Sequence, residues 1–396
     1  LKSLAKRALA APTRPAERAK EALEDQYLRE LLEEVKAKIV IMGVGGAGSN
    51  TITRLNALGL EGVITVAANT DGQHLLESVA DRKLLLGREL CGGSGAGGDP
   101  KIGEEAAKES EPEIKEILNG ADLVFLMAGL GGGTGTGGLP VIAEIAKDLG
   151  AVVVSMVTLP FEAEGRRRNE IAKTGLANVL RASDTVVVVN NDRILELVGD
   201  RPLHEAFLIA DEIMARSVKG VVELVTKPGL INVDFADLRA VLERGGPAIL
   251  AFGESDGEDR AIEAVEDALA NPLLEADISG AKAAVVNITC GPDLSLQEMK
   301  RVVETVVDTL DPEANVIWGA RIEDGLEGTV QVLLVVAGVT SPYIEEVAPA
   351  AKEVKKEAEA VVSPFEPARP GIGLRRVPSK AKKKEDILSD LGIEGL

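Results

Sequence analysis

Aromatic residues are scarce in this chain: one Trp, two Tyr and six Phe make up 2% of 396 residues. Binding of single-stranded nucleic acid uses aromatic platforms for the bases, so the shortage argues against that class. Positive charge is in deficit as well. Lys and Arg total 44 against 64 Asp and Glu, a net charge of −20, and nucleic-acid affinity rests on cations that neutralise phosphates. Cysteine is limited to Cys91 and Cys290, which excludes a disulfide framework and fits free thiols in a reducing cytosol. His74 and His204 are the only histidines, too few and too scattered in sequence for a histidine zinc site. No apolar run reaches the roughly 20 residues of a membrane span; stretches such as Val330–Val339 have strand length. These shortages disfavour a secreted, integral-membrane, disulfide-rich or zinc-dependent protein.

Aliphatic residues and glycine are plentiful. Hydrophobic residues make up 45% of the chain and Gly numbers 42, enough for a sizeable core with many tight turns. From Ala37 onward short apolar runs alternate with helical periodicity. Strands are expected at 37–42, 63–68, 122–127, 151–159 and 185–189, with helices near 51–58 and at 100–118, 139–148 and 169–180. Such alternation predicts βαβ units and a largely parallel sheet. His204–Thr226 reads as one long helix, apolar on much of its circumference and therefore buried between other elements. An α+β half follows, and its closing strands, 316–322 and 329–339, have no helix between them and are expected to be antiparallel.

The expected division is 1–36 as a helical extension, 37–203 as a nucleotide-binding domain and 204–227 as a central helix. Residues 228–342 then form a smaller α+β domain, and 343–396 a Pro-interrupted flexible linker and tail. That tail carries ten cations and ten acids, so the whole net charge of −20 lies in the body.

Three glycine-rich loops carry the chemistry. Gly43-Val-Gly45-Gly46-Ala47-Gly48-Ser49-Asn50 follows a strand and opens a helix. There glycines admit a phosphate and helix N–H groups receive it. Alone it fits a dinucleotide fingerprint, with Asp71 as the acidic residue further on. Gly131-Gly132-Gly133-Thr134-Gly135-Thr136-Gly137 has more glycine than a turn requires and adds two hydroxyls. Gly92–Gly98 is the third. Three such loops on one sheet point to a polyphosphate, and no Walker motif or kinase signature is present.

The Gly131–Gly137 string resembles the phosphate loop of the tubulin family. Its companions resemble FtsZ, the prokaryotic cell-division branch, and its archaeal members most. They are Gly43–Asn50, Asn69-Thr70-Asp71-Gly72-Gln73, Gly95–Pro100, Pro160–Gly165 and Asn232–Asp237, in the family's order over roughly 37–340. The resemblance implies a Rossmann-like GTPase domain, a central helix and a smaller α+β domain, binding GTP or GDP with Mg²⁺. It implies nucleotide contacts from Gly45, Gly46, Ala47, Gly48, Ser49 and Asn50, and from the whole Gly131–Gly137 loop, including Gly132, Gly133, Thr134, Gly135 and Thr136. Asp71, Gly97, Gly98 and Asp99 would stand near the γ-phosphate, with Asp71 a metal ligand through water. Glu164 and Arg168 would meet the ribose, and Asn191, Phe207 and Asp211 would frame the guanine. A carboxylate such as Asp211 accepts from N1–H and N2–H of guanine, which adenine lacks. Two departures stand out. Asp99 occupies a position where the family usually has Asn, and Asn190 one where it usually has Pro, which leaves Asn190 open beside Asn191.

Asp234 and Asp237, with Asn232, are the catalytic candidates by the same resemblance. Helix capping explains the two carboxylates equally well from local preference. In the family this segment lies opposite the nucleotide and completes the next subunit's site, which implies head-to-tail filaments. The implied role is a cell-division ring at mid-cell in the cytoplasm, with membrane-anchor or division proteins docking on the tail at 385–396. A family paralogue with a cell-shape or other role, and an NAD-binding Rossmann oxidoreductase, are the alternatives.

Overall fold

The computed structural model describes residues 37–198, 202–227, 229–243, 245–270 and 277–339. The expected extension at 1–36, linker and tail lie outside them. The ten strands are β1 (Ile39–Val44), β2 (Val63–Asn69), β3 (Arg82–Leu85), β4 (Leu123–Gly129), β5 (Val152–Leu159), β6 (Thr185–Asn190), β7 (Gly246–Ser255), β8 (Ala283–Cys290), β9 (Asn315–Ile322) and β10 (Val330–Ala337). They form one sheet in the order β3-β2-β1-β4-β5-β6-β7-β10-β8-β9. The first six stand as 3-2-1-4-5-6, all parallel, so the order reverses between β1 and β4. Three residue pairs, Thr185 with Gly246 to Val187 with Ala248, join β6 to β7 in parallel. β10 then runs antiparallel to both β7 and β8. The two closing strands do run in opposite directions, but they are not neighbours: β9 pairs in parallel with β8, which lies between them.

The helices are α1 (Gly45–Ala57), α2 (Gly72–Glu77), α3 (Pro100–Glu109), α4 (Glu111–Leu118), α5 (Thr134–Asp148), α6 (Arg166–Ala182), α7 (Asn191–Val198), α8 (Leu203–Thr226), α9 (Phe235–Glu243), α10 (Arg260–Ala270) and α11 (Leu296–Thr309). The helix expected over 100–118 is two, broken at Ser110, because Pro112 suits only a first turn. α1 and α5 start earlier than periodicity suggests, inside their glycine loops.

Strand alternation distributes the core onto both faces. Ile39, Ile41, Leu123, Phe125 and Met127 join α1, α8 and α9 on one face. Val40, Met42, Val44, Val124 and Leu126 face α3–α6 on the other. In the second half Leu333 and Val335 continue under α8, while Val332, Leu334 and Val336 meet α10 and α11. Strands covered on both sides read as continuous apolar runs, which is why β4 and β5 stand out in the sequence. α8 buries Ala206, Ala210, Met214, Ala215, Val218 and Val222, whereas Leu208, also apolar, is 61% exposed, so the helix is less buried all round than its sequence suggests.

Several contacts are backbone on backbone. A Cβ on Gly137 would overlap the Pro100 carbonyl, and one on Gly103 the Gly133 carbonyl, so α3 and α5 touch through their glycines. Gly253 in β7 likewise meets Ala264 O and Ala268 N of α10. Gly253→Ala is expected to lower stability by about 1–3 kcal/mol or more, since neither backbone can yield. Urea unfolding monitored by circular dichroism measures it; an unchanged midpoint would mean that α10 does not press on β7 in this way.

Candidate functional site

Ligands of open α/β sheets bind beyond the strand C-termini where strand order reverses. Here that point lies between β1 and β4, and the loops leaving these two strands are the first two glycine loops. They feed α1 and α5 directly. Neither helix has a side-chain cap or an acidic residue in its first turn. Their starts also converge: a Cβ on Gly45, at φ +75°, would stand 3.0 Å from Gly135 N. Two sets of unpartnered N–H groups and two positive dipole ends therefore face one place, the arrangement that receives an anion.

The glycines divide into two kinds. At Gly43, Gly48, Gly133, Gly135 and Gly137 a Cβ would press on neighbouring protein atoms. At Gly46 and Gly132 a Cβ would meet nothing within 4 Å. The first kind serves packing and the second leaves room beside the phosphate-type loops. The third loop is attached to the turn after β2 and to the second glycine loop: Gly95 N donates to Thr70 O at 3.1 Å, Gly72 N to Gly93 O at 3.0 Å, and Ala96 lies against Gly133.

A cavity of about 610 Å³ opens from α1 toward the start of α8. Of the residues named from sequence it brings together Gly46, Ala47, Asn50, Glu164, Arg168, Asn191, Phe207 and Asp211. Glu164 is held in place: Oε1 accepts from Phe161 N at 2.9 Å and Oε2 pairs with Arg168 Nη1 at 2.9 Å. Phe207 stands edge-on to the buried Phe161, centroids 5.2 Å apart. Asn191, at the start of α7, is 5% exposed, and its Oδ1 has no hydrogen-bond partner in the protein. Asp211 Oδ1 lies 2.9 Å from the Thr51 hydroxyl. Burial pushes the Asp211 carboxyl up to about 6, against a smaller downward pull from Thr51. An orphaned amide oxygen and a reluctantly ionised carboxylate at one end, with bare helix starts at the other, fit a base carrying N–H donors joined to a polyanion.

Other residues named from sequence lie elsewhere. Asp71 caps α2, accepting from Gln73 N and His74 N through Oδ1, and Asp99 caps α3, accepting from Lys101 N. Ser49 Oγ is buried without a partner. Asp99, Thr136 and Gly137 line a second, charged cavity of about 700 Å³ beside α3, α5 and α6. Among the described residues no three His, Cys, Asp or Glu gather as metal ligands. Asn232, Asp234 and Asp237 are exposed and line no wall of the first cavity. They follow the far end of α8, whose 24 residues span roughly 35 Å. Asp234 caps α9, its Oδ1 accepting from Ala236 N at 3.0 Å.

Sequence reasoning missed Thr51, His74, Thr158 and His204, which also line the first cavity. Thr51 was findable, one helical turn beyond Ala47 on the same α1 face. The two histidines give no local signal, because only the fold brings α2 and the start of α8 together.

A carboxyl whose folded pKa of about 6 exceeds its unfolded 3.8 contributes full stability below pH 3.8 and loses it as pH rises through 6. Asp211→Asn is therefore expected to stabilise the ligand-free protein by about 1–3 kcal/mol above pH 7, with the gain shrinking toward pH 4. Thermal melts across that range check it, and a pH-independent difference would disprove the burial cost.

The Tubulin/FtsZ family GTPase-domain model matches residues 38–199 and the FtsZ family C-terminal-domain model residues 246–340. Cell division protein FtsZ of Methanothermobacter thermautotrophicus is 53% identical over 320 residues, 81% of this chain and 84% of that protein. Cell division protein FtsZ 1 of Thermococcus kodakarensis is 54% identical over 319 residues, 81% and 85% of the two chains. Among solved structures, an FtsZ dimer of M. jannaschii superimposes with TM-score 0.76 at 53% identity, covering 80% of this chain and 93% of that one. CetZ2 of Haloferax volcanii, solved as a GTPγS-bound protofilament, superimposes with TM-score 0.68 at 27% identity, covering 81% and 99%. Both family domains lie here in order, and relatives match at more than half identity along most of their length, so the chain belongs to the FtsZ family of cell-division GTPases.

Proposed function

We propose that this GTPase stacks head to tail and hydrolyses GTP at a site completed by the next subunit. The observation that carries this reading is the position of the carboxylates. Within one subunit, Glu164 is paired with Arg168, Asp211 sits at the base end, and Asp71 and Asp99 cap helices. The exposed pair Asp234 and Asp237 lies beyond the opposite end of α8. Only a second copy can bring that pair to the phosphate end of the cavity. Such a heterologous contact does not close on itself and makes filaments. Self-association of relatives, an FtsZ dimer of M. jannaschii and a CetZ2 protofilament, supports this reading.

The roles follow from chemistry. Asp211 and Asn191 Oδ1 accept N–H groups of guanine, and Phe207 covers the base. Glu164 and Arg168 hold the ribose. The starts of α1 and α5, with Gly132 and the third loop at Gly97 and Gly98, donate to the phosphates. Asp71 would hold Mg²⁺ through water, and the ion would supply neutralisation of phosphate charge. Asp234 and Asp237 of the next subunit, steadied by Asn232, orient the attacking water, and the preorganised N–H groups stabilise the charge that develops. Filaments of this kind at the division site, tethered by anchor proteins on residues 385–396, complete the proposed role. The division reading is favoured over a paralogue's role because identity is 53% to FtsZ against 27% to CetZ2.

GTP turnover and light scattering, measured together across a protein concentration series, test this. Specific activity is expected to rise from near zero above a critical concentration at which scattering begins. Asp234→Ala is expected to assemble and to lose turnover by about 10²-fold or more. Flat specific activity without scattering would mean that one subunit holds the whole site. Asp211→Asn is expected to weaken GDP binding by about tenfold or more, through loss of a charged acceptor.

A further inference from the structure

Among the described residues Glu223 is the one charged side chain in the buried interior, 3% exposed. It stands near the end of α8, remote from the nucleotide cavity. Its Oε2 pairs with Arg321 Nη1, and its Oε1 lies 2.8 Å from Lys227 Nζ. Arg321 Nη2 continues to Glu323 Oε2 at 2.9 Å. Desolvating a carboxylate and a guanidinium costs more than an apolar pair of the same volume, so such a pair is poorly explained as a source of stability. It does fix direction, because the guanidinium fork engages its partners in one plane.

The residue beside Arg321 carries the segment that leads to Asp234. Ala320 O accepts from Leu230 N at 2.8 Å and from Ile231 N at 3.1 Å, and Ala320 N donates to Ile231 O at 3.1 Å. The approach is close enough that a Cβ on Gly229 would stand 2.7 Å from Ala320 O, and one on Gly319 2.7 Å from Leu224 Cδ2. Asn232 Oδ1 then accepts from Gly229 N at 2.6 Å, Val233 is buried, and Asp234 caps α9. Segment 229–234 is thus attached to β9, and β9 is attached to α8 through Arg321 and Glu223.

We infer that Arg321, held by Glu223, is a positioning residue for hydrolysis: it sets where the Asn232–Asp234 segment stands at the end of the subunit that meets the next one. This rests on the reading that Asp234 acts on the neighbour's nucleotide. Nothing in the pair touches the cavity, so it is expected to act on turnover without acting on nucleotide affinity.

The test uses the full chain and four variants: Asp234→Ala, Arg321→Met, Arg321→Lys, and Glu223→Gln combined with Arg321→Met. Turnover per assembled subunit, critical concentration, affinity for a fluorescent GDP and melting temperature are measured for each. Arg321→Met is expected to lower turnover about ten- to a hundredfold, the scale of a small misplacement of a reacting group. GDP affinity should stay within about twofold, as for distant sites. Arg321→Lys, which keeps the charge without the fork, should recover turnover only in part. The double variant leaves no unpaired buried charge and should regain the melting temperature that Arg321→Met loses, while its turnover stays low. Turnover that recovers in step with melting temperature would overturn the proposal in favour of a purely structural pair. So would wild-type turnover in Arg321→Met when Asp234→Ala is inactive. Full turnover in Asp234→Ala would instead overturn the inter-subunit reading itself, and the proposal with it.

Discussion

Two helix starts without caps stand side by side at the point where the strand order reverses, and much else in the first half is arranged around them. α1 and α5 approach so closely that Gly45 and Gly135 leave no room for a side chain between them. The same crowding extends outward to Gly103, Gly133 and Gly137, where α3 lies directly on α5. Glycine is thus demanded in the first two glycine loops by the meeting of backbones, while Gly46 and Gly132 there face open space. Neighbouring helices are treated differently. α2 and α3 receive aspartate caps, Asp71 and Asp99, so their donors are satisfied within the protein. Of these four helix starts, the two left without a side-chain cap are the two that converge.

α8 carries a buried or half-buried carboxylate near each end, and the two are handled in opposite ways. Asp211 has one hydroxyl for company and ionises reluctantly. Glu223 has its charge met by a guanidinium and an ammonium, although its Oε1 makes no hydrogen bond. The first lines the cavity, with space beside it for a further partner. The second is paired within the protein and holds the helix to β9 through Arg321. A single long helix in this way joins an end that accepts a ligand to an end that presents Asp234.

The fold was legible where its physics is local. The parallel strands are buried on both faces and read as apolar runs, and the long helix read at His204–Thr226 corresponds to α8, Leu203–Thr226. α7 was missed because it is only eight residues long and follows β6 without an intervening loop. The early starts of α1 and α5 were hidden because glycine is a poor helix former and local preference argued for a loop. The pairing of β9 with β8 was hidden because it depends on β10 entering between β7 and β8, a long-range choice. In the site, the cavity gathered the neighbours Glu164 and Arg168 with Asn191 and Asp211, three separate segments of the sequence. No spacing rule reaches that far; the resemblance to a family did. Local reasoning also proved sound for Asp234, whose carboxylate does cap its helix.

The two margins of the sheet have a bearing on solubility. An exposed strand edge offers a row of unpaired backbone groups to any other chain, and flat apolar edges seed aggregates. Here one margin is β3, only four residues long, with Arg82 and Lys83 both exposed. The other is β9, whose outer edge is partly occupied by the bridge from Ile231 to Ala320. A protein that crowds into ordered assemblies brings many copies of itself close together. Blunted margins of this kind would keep such copies from fusing sideways, strand to strand, and so help any assembly to come apart again.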